Sequence, residues 1–569
     1  MKILTKNVFT FALMVVLFVS AASPVLAAPS KPESNPYPPA GTAPAVGLNY
    51  QLLAKAALDE CFNAIGQPCD PASALNKVNQ AYVWGLTQAN GTLWFGTAAN
   101  VICAGFGLLE MTNPMQSDSF VCEMGESQYV DPVIGRVAAI DPSIGDWRPP
   151  EIWAYDTASG LLINKTPTPA VDPTAYALIH RTGGLRSAGS IDNVVFIAGI
   201  TLNSMVDLFA YRADTGAFIG STVLPDYINI RKMLAYNGVL YVAVGSSTGG
   251  TVLRWTGSVE NPFQFEVVGK LDADAAEIVP YNGRLVVSTW PAMLGTNTAP
   301  VYSGLWMSPT VPAGGLTNSN ADAWTKVFTI TDYEPDPVVA TTIAGGALAQ
   351  FGEYLYWTTM QVPYSGLAAF SAAYGQPANV FDILTTFYNT TRPSIVFRSK
   401  SLESGAPKIE LLYGDASLPV YNPTNASWTN LPNKLGTTPL YGGAGYGNFY
   451  NVYTWSMTVY NNQLYAGTFD WSYLANQTAS AYLEDTFGQP ISITLPNATF
   501  GADLFRFDTT KKAAKAISYY GVGNYLNYGI RNMLVLNGKL YLGMANSFNL
   551  AAAPGQPNGG WELSELSSK

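Results

Sequence analysis

An all-β chain built as a β-propeller is what this sequence predicts, and three observations carry the prediction. A tight-turn pair recurs along the chain, at Asn90-Gly91, Asp192-Asn193, Asn237-Gly238, Asn282-Gly283, Phe351-Gly352, Asn461-Asn462 and Asn537-Gly538. Asn-Gly readily supplies the two positive φ angles of a type I′ turn, so each pair reads as the tip of a β-hairpin. An apolar or aromatic pair follows every turn, from Leu93-Trp94 to Leu540-Tyr541. Finally, Asp192, Asn237 and Asn282 are spaced 45 residues apart, the length of a four-stranded blade of about 40–50 residues. Seven turns imply seven blades, with six or eight following if one repeat is false or if the 110-residue interval between Phe351 and Asn461 holds a degenerate blade; the longer intervals leave room for insertions in blade loops and outer strands.

The elements are taken in chain order. Lys2 and Lys6 precede an apolar run over residues 8–19 and a small-residue end at Val25-Leu26-Ala27, the pattern of a secretory signal peptide over 1–27. Residues 28–47 are rich in Pro, Ser and Ala and read as a linker. In 48–80 the apolar positions Leu52, Leu53, Ala56, Ala57, Leu58 and Phe62 follow a helical spacing, which predicts a small helical N-terminal cap with a second short helix over 72–80. The propeller then occupies 81–569. The four cysteines, Cys61, Cys69, Cys103 and Cys122, predict two disulfides in an oxidising compartment, most simply Cys61 to Cys69 and Cys103 to Cys122, among three possible connectivities.

Composition excludes several functions. Charged residues are only 12% of the chain and the net charge is −10, with no basic stripe of the kind a phosphate backbone requires. After signal cleavage no stretch is long and apolar enough to predict a transmembrane segment. The single histidine, His180, cannot by itself build a two-histidine metal centre, so no metal site and no cofactor is predicted. Asp332, Glu334 and Asp336, and Asp272 with Asp274, offer oxygen groups without the spacing of an established loop; structural calcium is the one ion they leave open.

The residue six positions before each turn is Trp84, Arg186, Arg231, Ala276, Gly345, Trp455 or Arg531. If these begin the innermost strands, three arginines and two tryptophans ring one channel mouth. Guanidinium forks bind carboxylates, and tryptophan faces take sugars or cations. The segments closing the second strands add Asn100, Trp290, Trp357, Asp470, Trp471 and Asn546 to the same mouth. Structural use of the arginines, tied to loop carbonyls and acids, is the competing reading.

Residues 527–541, Asn-Tyr-Gly-Ile-Arg-Asn-Met followed by Asn-Gly-Lys-Leu-Tyr after Leu-Val-Leu, resemble the repeats of secreted bacterial β-propeller proteins, and the resemblance extends over 81–569. It implies architecture and no particular activity. The Ser-x-Asp-x-Gly-x-Thr-Trp box of sialidase propellers is missing; the nearest segment, 319–325, lacks its glycine. The expectation is therefore an exported module, secreted, periplasmic or on the outer cell surface. It binds a glycan or protein partner through its channel mouth and inserted loops. A polysaccharide hydrolase or lyase using Arg186, Arg231 and Arg531 is the alternative, and a structural protein of a surface layer or filament is a further one.

Overall fold

The computed structural model describes residues 36–62, 76–103, 146–201, 204–291, 300–403, 407–477, 480, 494–549 and 558–569. The signal segment, Cys69 and Cys122 lie outside these. The chain divides into two compact units. One comprises Met1–Val46, Ser288–Trp306 and Lys326–Gly529; the other comprises Gly47–Val287, Met307–Thr325 and Ile530–Lys569.

Each predicted turn lies at the tip of a hairpin, and six of the seven hairpins continue into two outer strands. In the second unit, Gln80–Ala89 pairs with Thr92–Ala99, followed by Ile152–Asp156 and Leu162–Asn164. Thr182–Ile191, Val194–Thr201, Val206–Arg212 and Phe218–Leu224 form the next sheet, and Asn229–Tyr236, Val239–Ser246, Gly249–Trp255 and Phe265–Leu271 the one after. The Asn282 sheet, Asp274–Tyr281, Arg284–Trp290, Gly304–Met307 and Thr325–Thr329, is divided between the units. In the first unit the hairpin strands are Ala344–Phe351 with Tyr354–Met360, and Asn451–Tyr460 with Gln463–Asp470. Their outer strands are Val396–Ser399 with Glu410–Tyr413, and Leu504–Phe507 with Lys515–Ser518.

The turns have the chemistry their residues imply. Asn90, Asn237, Asn282, Asn461 and Asn537 adopt φ between 46° and 51°, and the residue after each also has positive φ, as a type I′ turn requires. One turn is displaced from its expected position. Phe351 pairs with Tyr354, so the turn residues are Gly352 and Glu353, not Phe351 and Gly352. Gly352 supplies the positive φ, 60°, which a phenylalanine would adopt only under strain.

The doubly buried strand is the second of each hairpin, not the first as the apolar faces of 533–536 imply. Val239–Ser246 is buried at every position but Ser246, whereas Met533 and Leu534 are half-buried and Val535 is exposed. The second strand is covered on both edges and both faces, which favours continuous apolar sequence.

The helical N-terminal cap is corrected. Leu48–Lys55 is a strand antiparallel to Glu562–Ser568, which in turn pairs with Lys539–Ala545, so the N-terminal segment completes the last four-stranded sheet. Pairing satisfies the otherwise open edge of Glu562–Ser568, and that need overrides a local helical period. The apolar residues that set the period are not a core stripe: Leu52 is 40% exposed and Leu58 46%. In place of the second helix, Asn76–Lys77 pairs with Glu60–Cys61, and from Gln80 the first inner strand begins; 72–75 lie outside the described residues. Neither Cys61 nor Cys103 is a free thiol, and no Sγ–Sγ pair falls within the described residues. The end of the 28–47 segment is docked on its own unit: the Val46 amide donates to the Ile517 carbonyl at 2.8 Å, and Tyr37 sits edge-on to Phe500 at 5.1 Å.

Two additions interrupt the repeat in the first unit. Helices Ser365–Tyr374 and Val380–Thr390 are inserted between the second and third strands of the Gly352 sheet, and a separate hairpin, Ser417–Asn422 with Ser427–Pro432, follows its fourth.

Candidate functional site

In five of the hairpins the position six residues before the turn falls at a β-bulge. Val83 pairs with Thr97 and Gly85 with Gly96, which leaves Trp84 as the extra residue. Arg231 is extra between Ile230 and Lys232, and Trp455 between Thr454 and Ser456. In the Asp192 hairpin, Leu185 and Arg186 oppose Gly199 alone, and in the Gly352 hairpin, Gly346 and Ala347 oppose Thr358 alone. A bulge takes one residue out of the pleat and re-aims its side chain. The sequence offset therefore marks a real structural position, although the one-residue turn shift moves the Gly352 equivalent from Gly345 to Gly346.

In the second unit the arginines of this register lie within electrostatic reach of two acids. The Arg186 guanidinium lies 4.9 Å from the centre of the Trp84 ring, a cation–π distance. Its Nη1 donates to Asn229 Oδ1 at 2.9 Å, and Asn229 Nδ2 donates to Asp274 Oδ2 at 3.3 Å. Burial pushes the Asp274 carboxyl above its ordinary range, opposed by the Asn229 hydrogen bond and by the charges of Arg186 and Arg231. Arg531 is deeply buried, and its guanidinium is pulled below its ordinary value by desolvation, with the Glu277 carboxylate opposing. Lys232 Nζ also reaches Glu277, at 3.7 Å. Arg231 and Arg531 are 2% and 3% exposed, so their charges are used inside the fold, while Arg186 and Trp84 are only partly buried.

Glu277, and the place of Asp274 beside the arginines, are what sequence reasoning missed here. Both lie on Asp274–Tyr281, the strand whose own bulge-register residue, Ala276, is apolar and buried. Asp274, first considered for calcium, is a counter-charge to arginine. Among the described residues no group of three or more His, Cys, Asp or Glu is placed to hold a metal. Asp332 and Asp336 accept from backbone amides at Thr329 and at Val338 and Val339.

In the first unit the same register carries aromatic chemistry. Trp455 is buried with Tyr453 at 5.5 Å and Phe469 at 5.4 Å. Trp290 Nε1 donates to the Gly345 carbonyl at 3.0 Å. Trp357 stacks on Phe397 at 5.5 Å inside its sheet, and Trp471 packs against Tyr364, Phe387 and Tyr450. Asp470 accepts from Asn448 Nδ2 at 2.7 Å and from the Ser472 amide at 2.8 Å.

In the second unit, Asn100 donates to Asn79 Oδ1 and Asp146 Oδ2, each at 3.0 Å, and Asn546 donates to the Asn558 carbonyl at 2.9 Å. All three of Asp470, Asn100 and Asn546 are fully buried and serve as loop anchors. Nearby in sequence, Thr97, Thr289, Thr359 and Thr468 each accept through Oγ1 from the amide that begins the third strand, at Glu151, Gly304, Ile395 and Asp503. The recurrent Gly-Thr, Ser-Thr and Thr-Thr at the second-strand end is thus a strand clasp.

The strand pairing defines the chain as a β-propeller. No family model matches it, and comparison with curated proteins found no relative. Among solved structures it is similar to the β-propeller domain of the Trilobed protease from Pyrococcus furiosus, at 7% identity over 87% of this chain and 95% of that one, TM-score 0.35. It is also similar to a Dos1 propeller, at 10% identity over 74% and 86%, TM-score 0.36. The computationally designed Ika8 protein matches at 7% identity over 86% and 96%, TM-score 0.34.

Proposed function

We propose that the protein is an exported, seven-bladed propeller that works as a binding module, and that it holds a glycan on the aromatic surface of its inserted segment. One observation carries this reading. The helical hairpin of Ser365–Tyr374 and Val380–Thr390 carries a single charged side chain, Asp382, and leaves Phe381 67% and Tyr374 36% exposed. Tyr374 lies 5.0 Å from Tyr421, and Phe370 stacks on Trp428 at 5.6 Å with 23° between the rings. Uncharged ring faces with negative π density suit the C–H faces of sugar rings. Trp84 and Arg186, partly buried at the channel register, supply a second set for a neutral or acidic sugar. Export with two disulfides, Cys61 to Cys69 and Cys103 to Cys122, belongs to the same proposal. The hydrolase or lyase alternative draws less support, because Arg231 and Arg531 are buried beside Asp274 and Glu277.

A glycan array probed with the exported protein tests the reading. Retention on at least one glycan class is expected, with Tyr374→Ala and Trp428→Ala each weakening it by about tenfold or more, or about 1.4 kcal/mol, at an unchanged unfolding midpoint. An empty array, or binding indifferent to both substitutions, overturns it.

A further inference from the structure

A buried, four-residue charge cluster lies in the second unit, away from the channel register. Glu60 and Lys77 are paired across the short strands Glu60–Cys61 and Asn76–Lys77. Lys77 Nζ contacts Asp146 Oδ2 and lies 3.5 Å from Glu60 Oε2. Arg148 Nη1 contacts Asp146 Oδ1, and its Nη2 donates to Glu60 Oε2 at 3.0 Å. Asn100 Nδ2 donates to Asp146 Oδ2 at 3.0 Å. Lys77 and Asp146 are fully buried, Arg148 and Glu60 nearly so.

We infer that Lys77 and Asp146 are the two ends of a self-formed isopeptide cross-link, with Glu60 as the proton carrier. An amine and a carboxyl condense only when the amine is neutral and the carboxyl is protonated. A water-excluded site favours that neutral pair over the ion pair, because burial penalises both charges. One proton passing from Lys77 to Asp146 gives it, and leaves the Arg148 and Glu60 charges balanced. The Lys77 Nζ lone pair then attacks Asp146 Cγ and a C–N bond forms. Negative charge develops on Oδ1, which Arg148 stabilises. Glu60 takes a proton from Nζ and delivers it to the Oδ2 hydroxyl; the C–O bond breaks and water leaves. The products are one amide and one water, with no oxidant or co-reactant. The link would tie residue 77, just before the first inner strand, to residue 146 beyond the 104–145 segment, where the Asp146 amide also donates to Cys103 Sγ at 3.2 Å.

Peptide mapping by mass spectrometry of the full, reduced protein tests this. The expected result is a joined species containing the Lys77 and Asp146 peptides, lighter than their sum by one water, and absent from Lys77→Arg. Glu60→Gln should leave the two peptides unjoined. Separate, full-mass Lys77 and Asp146 peptides in the unaltered protein overturn the inference outright, and a joined species in Glu60→Gln overturns the role of Glu60.

Discussion

Arg231 and Trp455 occupy equivalent bulges of two hairpins in different units, and their surroundings have little in common. Arg231 is buried on a sheet whose neighbouring inner strand contributes Asp274 and Glu277, whereas Trp455 is buried between the rings of Tyr453 and Phe469. The backbone device specifies that one side chain leaves the pleat; it does not specify the chemistry of that side chain. Each side chain is tolerated because its neighbours were chosen with it, one set by charge and one by shape.

The largest effects should come from breaking either arrangement. Trp455→Ala is expected to cost about 3–5 kcal/mol in urea unfolding, from lost transfer free energy and the cavity left behind. Trp455→Phe should recover most of that loss. Asp274→Ala is expected to cost about 3 kcal/mol, because it leaves buried guanidinium charge beside an apolar methyl. Asp274→Asn, which keeps an acceptor for Asn229, should fall between parent and Ala. Equal losses for Asn and Ala would show that its charge, and not the acceptor it offers Asn229, is what Asp274 contributes.

How much of this was legible in the sequence follows from the same contrast. The turn residues could be read because each meets a local backbone requirement with few permitted residues, as the positive φ at Asn237-Gly238 illustrates; the six-residue offset reads as the start of the inner strand, whereas Trp84, Arg186 and Trp455 lie inside their strands at a bulge. Arg231 could be noticed for its recurrence, but its acids could not be assigned, since Asp274 lies on the next sheet and the alignment marked only Ala276 there. The Leu48–Lys55 strand reads locally as helix because the partner that makes it a strand, Glu562–Ser568, is at the far end of the chain. The inserted helices carry no repeat signal, so nothing periodic in the sequence points to the aromatic surface around Tyr374.

A smaller effect isolates the strand clasp, which both units share. Thr468→Val should cost about 1–3 kcal/mol, the penalty for leaving the buried Asp503 amide without its acceptor, read again by urea unfolding. Thr97→Val should behave alike. A large difference between the two would mean that the units do not use the clasp in the same way.

The smallest effect concerns His180, on the helix Pro173–Arg181 outside every bulge. Burial holds its imidazole below the ordinary value, opposed by the 2.8 Å contact of Nδ1 with the Tyr176 carbonyl. A folded-state pKa below the unfolded one makes the neutral form the stable one. Its contribution is therefore complete above about pH 6.5 and is lost as pH falls through the folded-state value. As this is the single histidine, His180→Gln should remove that part of the pH slope of stability and leave the rest unchanged.

The most direct test of whether the buried arginines are structural is the unfolding free energy of the double variant Arg231→Gln, Arg531→Gln. Loss of both guanidinium groups should leave Asp274 with only Arg186, and Glu277 with only Lys232, as the cations named here, and lower stability by about 3 kcal/mol, with glycan retention unchanged in whatever fraction remains folded. An unaltered unfolding midpoint together with lost binding would contradict the account and return those two arginines to the ligand.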